Sequence, residues 1–87
     1  MTPEAVRDLT ERIYRRCGPQ LGCDVQCRTV AVLAAGIAEA WNVPADFVFI
    51  PSYDEAGVNT PHFAVRFEDG RVLDGWLGQV RLRRFRA

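Results

Sequence analysis

His62-Phe63-Ala64-Val65-Arg66-Phe67-Glu68-Asp69-Gly70-Arg71-Val72-Leu73-Asp74-Gly75-Trp76 is the stretch whose reading decides the fold. Its first residues alternate. Phe63, Val65 and Phe67 fall on one side and His62, Ala64 and Arg66 on the other, as in a strand half-buried against a core. Glu68-Asp69-Gly70 supplies turn chemistry, and Arg71 to Trp76 reads as the return strand. Two registers accept this hairpin. A two-residue Asp69-Gly70 turn sets Val65 opposite Asp74 and sends His62 to the other face. A three-residue Glu68-Asp69-Gly70 loop, with Gly70 left-handed in a bulge, sets Ala64 opposite Asp74. His62, Ala64, Val72, Asp74 and Trp76 then share a face, and the chain's only histidine can meet Asp74.

Outward from the hairpin, Ser52 to Pro61 reads as a polar loop, and Phe47-Val48-Phe49-Ile50 as a short strand stopped by Pro51. Before it, a helix is expected from about Asp24 to Trp41. Val30, Ala31, Ala34, Ile37, Ala38 and Trp41 share a face with Cys27, and Asn42-Val43-Pro44 ends the helix. This helix is apolar nearly all round its middle, which predicts a central, buried position. Its alanines and Gly36 predict close packing against another backbone. A first helix begins at Thr2-Pro3-Glu4, where Thr2 caps and Pro3 suits the first turn. Its stripe is Val6, Leu9, Ile13, Tyr14 and Cys17, and Gly18-Pro19 stops it. At the other end Val80 to Phe85 alternates with arginines and reads as a solvent-washed edge strand. The expected architecture is α+β: two helices, the second central, packed on a small antiparallel sheet of three to four strands. Residues 1–87 are expected to form a single domain.

Composition narrows the chemistry. Eleven basic residues, all arginine, balance eleven acidic ones, so net charge offers no support for nucleic acid or a membrane surface as partner. The chain has no lysine, and Ser52 is its only serine, which leaves cysteine as the main nucleophile type. The longest apolar run, Val30 to Ala38, is too short to span a bilayer. Three cysteines cannot all pair within one chain, and free thiols point to a reducing, cytoplasmic setting.

A thiol enzyme needs a thiolate, favoured at a helix N-terminus, a histidine to hold its proton and a carboxylate to orient that histidine. Cys27 in the first turn of the second helix, with His62 and Asp74 on the hairpin, supplies the set. Cys23, one turn earlier, is the rival nucleophile. Gln20 or Gln26 is a candidate oxyanion partner beside the Cys27 backbone N–H, and Trp76 is a candidate cleft wall.

These residues also carry a resemblance. Cys27-Arg28-Thr29-Val30-Ala31, continuing to Ala40-Trp41-Asn42-Val43-Pro44-Ala45, resembles the transglutaminase-like pattern, in which a cysteine begins an apolar helix that ends before Ile/Val-Pro-Ala. The His62 and Asp74 strands resemble that family's histidine and aspartate strands, in the same order, and the likeness covers about two-thirds of the chain. It implies a papain/transglutaminase-like core and acyl chemistry through a Cys-His-Asp triad, without metal or cofactor. The activity is expected to be of peptidase or deamidase type on a peptide or protein substrate, with acyl transfer as the alternative. Val25 departs from the family pattern, which has glycine at that position. The short chain also lacks most cleft walls, so a partner protein or a second copy is expected to complete the site.

Structural readings stand beside these. Cys17 on its apolar stripe reads as core. His62 can be structural, and Asp74 can serve a turn. Trp41 and Trp76 suit core packing, and Arg81, Arg83, Arg84 and Arg86 suit a solvated edge. Zinc on Cys17, Cys23, Cys27 and His62 is disfavoured by the absence of a Cys-x-x-Cys knuckle. A binding module that keeps a vestigial triad is the non-enzymatic alternative.

Overall fold

The first helix, α1, spans Pro3–Cys17 in a computed structural model that describes residues 1–17, 26–53, 60–76 and 78–84. The Thr2 hydroxyl accepts a hydrogen bond from the Ala5 N–H at 3.2 Å, satisfying one of the donors a helix start leaves orphaned. Val6 is buried, and Leu9, Ile13 and Tyr14 pack against the core as the apolar stripe requires. Thr10 sits within this buried face and donates its hydroxyl to the Val6 carbonyl at 2.7 Å, which removes the cost of burying it. Cys17, expected in the core, is exposed; the stripe leaves the interior in the last turn.

The second helix, α2, spans Gln26–Ala40. It ends in a Schellman arrangement, with the Val43 N–H donating to the Ala38 carbonyl at 2.8 Å and Asn42 left-handed at φ 54°. Val30, Ala31, Ala34, Ile37 and Ala38 are its buried stripe. The expectation of a helix buried all round needs correction, because Val32 is 58% exposed. Gly36 needs correction too: a Cβ there would meet nothing within 4 Å, so close backbone packing is not its purpose. A two-layer domain has only one sheet face for α2 to cover, and its outer side meets solvent.

Four strands follow: β1 Ala45–Tyr53, β2 Thr60–Phe67, β3 Arg71–Trp76 and β4 Gln79–Arg84. They form an antiparallel sheet in the order β1-β2-β3-β4. β1 runs through Pro51 instead of stopping there, with a register shift between Ile50 and Tyr53. An edge strand tolerates proline, since one side of its backbone needs no ladder partner. The β2–β3 hairpin takes the three-residue loop: Val65 faces Leu73 and Arg66 faces Val72. Gly70 has φ +87°, and its N–H donates to the Phe67 carbonyl at 3.0 Å.

The pleat then sorts the side chains. Phe63, Val65 and Phe67 of β2, Leu73 of β3, and Val80 and Leu82 of β4 join Val6, Val30, Ala31 and Ala34 in one core. Both helices therefore cover this face. Ala64 and Val72 are buried as well but stand outside that core, on the opposite face. Arg7 and Arg71 tie α1 to the sheet, through the Val80 carbonyl at 3.3 Å and Glu4 at 2.8 Å. The result is a compact α+β domain.

Candidate active site

The hairpin register places His62 on β2 and Asp74 on β3 diagonally across the same face. His62 Nε2 lies 2.9 Å from Asp74 Oδ2, and both side chains are about 1% exposed. Trp76, half-buried on that face, meets the imidazole edge-on with ring centres 5.6 Å apart.

Asp74 has a second set of partners. Arg81, directly opposite it on β4, grips the carboxylate as a fork, Nε to Oδ1 at 2.9 Å and Nη2 to Oδ2 at 2.8 Å. Arg83 Nη2 approaches Oδ2 at 3.5 Å. Burial by itself would raise the Asp74 carboxyl. The hydrogen bonds from His62 and Arg81, with the Arg81 charge, outweigh it and hold the group below the usual carboxylate range. Asp74 is thus ionised at neutral pH and accepts from an Nε2–H, which leaves Nδ1 as the basic nitrogen of His62.

The edge arginines need correction here. Arg81 is only 19% exposed and points inward to Asp74. Arg84 caps the hairpin turn by donating to the Asp69 carbonyl at 3.2 Å. Arg86 lies outside the described residues. The signal for Arg81 was present: an arginine two residues into the strand beyond Asp74 pairs with it in a tight hairpin. Reading it required the β3–β4 register.

Cys27 occupies the first turn of α2, half-buried and in phase with the Val30–Ala31–Ala34 stripe. Arg28 lies over the Phe63 ring at 5.3 Å, which sets this turn at the His62 end of β2. The helix, however, packs on the Phe63–Val65–Phe67 face, whereas His62 and Asp74 project from the other. The structure brings His62 and Asp74 together on one face, and α2, whose first turn carries Cys27, packs on the other. The three large apolar residues of β2 already marked the face that a helix would cover. Cys23 and Gln20 lie outside the described residues; Gln26 opens α2.

Among the described residues no group of three or more His, Cys, Asp or Glu side chains is placed to hold a metal ion. An apolar groove of about 360 Å³ runs between α1 and α2, lined by Ile13, Tyr14, Cys17, Arg28, Val32 and Leu33. Its described lining residues all belong to the two helices. No helix of the described residues is long and apolar enough to cross a membrane. Comparison with protein-family models, with curated proteins and with solved structures gave no match.

Proposed function

We propose that this chain is a thiol-dependent acyl enzyme of peptidase or deamidase type, with His62 as base, Asp74 as its orienter and Cys27 as nucleophile. The observation that carries the reading is the buried 2.9 Å contact between His62 Nε2 and Asp74 Oδ2. It occurs in the one hairpin register that thiol chemistry requires. In the reaction, the thiol proton passes to His62 Nδ1 as sulfur attacks the substrate carbonyl. The leaving amine takes that proton, and water then hydrolyses the thioester. An amine in place of water would make the same site an acyltransferase. The reading makes one demand on the fold. A sulfur must reach the His62 face, either by displacement of the first turn of α2 or from Cys23. A partner protein or second copy that completes the cleft is part of the same proposal, as is a cytoplasmic setting for the free thiols.

A second reading is favoured by the placement of α2. With α2 packed on the other face and His62 fully buried, the His62–Asp74–Arg81 cluster serves to join β2, β3 and β4, and the chain is a protein-binding module.

Iodoacetamide alkylation followed against pH separates the two. The enzyme predicts one thiol whose reactivity sets in well below the free value of about 8.5, lost in His62→Gln and in either Cys27→Ser or Cys23→Ser. If every thiol titrates near the free value and His62→Gln changes nothing, the binding-module reading replaces it.

A further inference from the structure

Asp74 is the most heavily contacted carboxylate among the described residues, and its geometry is set by β4 rather than by the histidine. Arg81 takes both oxygens, Nε to Oδ1 at 2.9 Å and Nη2 to Oδ2 at 2.8 Å, so the carboxylate cannot rotate without breaking a bidentate fork. His62 receives what remains of Oδ2, at 2.9 Å. We propose that Arg81 is a positioning residue, whose fork orients Asp74 so that its Oδ2 holds the Nε2–H tautomer of His62. The chemical purpose of this device rests on the thiol-enzyme reading; the geometry and its test do not.

Among the described residues the other arginines of this face stand apart from the fork. Arg83 Nη2 approaches Oδ2 at 3.5 Å, and Arg66, four residues along β2, is half-exposed and 3.5 Å from Asp46 of β1. An ordinary conserving exchange would not reproduce the fork, because a lysine supplies the charge without the planar pair of donors.

His62 is the only histidine in the chain, so one pair of ring nitrogen resonances reports the site. Long-range ¹H–¹⁵N correlation spectra across pH 4–9 would be recorded for the wild type, Arg81→Gln, Arg81→Lys and Arg83→Gln, with amide spectra as the folding check. The wild type is expected to show the Nε2–H tautomer. Arg81→Gln and Arg81→Lys, which both lack the planar pair of donors, are expected to mix the two tautomers, and Arg83→Gln to keep the wild-type tautomer. The proposal is overturned by an Nδ1–H tautomer in the wild type, by an unchanged tautomer in Arg81→Gln, or by equal mixing in Arg83→Gln. If Arg81→Gln does not fold, an unchanged tautomer in Arg81→Lys overturns it alone. Failure of the alkylation experiment would remove the thiol enzyme and leave these spectra to decide Arg81 on their own terms.

Discussion

Asp74 concentrates the residue-scale physics of this chain. An unpaired carboxylate at its depth would be costly, and three donors offset that cost. Removing the acceptor takes a bidentate partner from Arg81 in a largely buried position. Asp74→Ala is therefore expected to cost about 3–5 kcal/mol, measured by urea unfolding; a loss under 1 kcal/mol would show that the cluster relaxes into water. The pairing of His62 with Asp74 was legible in the sequence only as one of two hairpin registers, because alternation fixes which residues share a face once the loop length is known. Arg81 was not, because its role depends on a second register. Arginines along a terminal strand look alike until the opposing residue is known.

At the scale of elements, glycines at two positions do opposite things. Gly70 holds φ +87° in the hairpin loop, a conformation that an L side chain adopts only under strain. Gly70→Ala is expected to destabilise by about 1–2 kcal/mol. Gly36 lies inside α2 with open space where a Cβ would stand. Gly36→Ala is expected to stabilise by about 0.4–1 kcal/mol. Thermal and urea denaturation of both variants checks the pair, and a destabilising Gly36→Ala would mean that α2 packs more closely than described. Strand β2 begins at Thr60, inside the stretch that reads as a polar loop, but helix α1 and strand β3 were readable to their ends, since caps and turns are local. The span of β1 was not. Pro51 reads as a stop by local rules, and only the edge position of β1 lets the strand run through it.

For the whole molecule the acid limb of stability is the informative quantity. Asp74 carries a lowered carboxyl, opposed by burial and produced by His62 and Arg81. Its contribution is thus fully present above the unfolded-chain value of about 3.9 and is lost as pH falls through the lower folded value. Glu4 and Asp69 are lowered by Arg71, Glu4 through its side chain and Asp69 first through its backbone N–H. Both are fully exposed and add little. Stability is expected to hold from neutral pH to about pH 4 and then fall steeply. Asp74→Asn should flatten that fall while lowering the plateau. An acid limb unchanged in Asp74→Asn would remove Asp74 as its source.

The sequence by itself determined the two helices, the hairpin and the apolar face of β2, and it allowed His62 to meet Asp74 in one of two registers. Each follows from contacts between residues close in the chain: caps, turns and alternation. Tertiary structure decided between the two hairpin registers and chose the arginine that seizes the buried carboxylate. Those outcomes depend on where distant segments bury the most apolar surface. Phe63, Val65, Phe67 and Leu73 drew α2 to their side, and Cys27 went with it. The histidine and aspartate were left on the other face to be completed by Arg81.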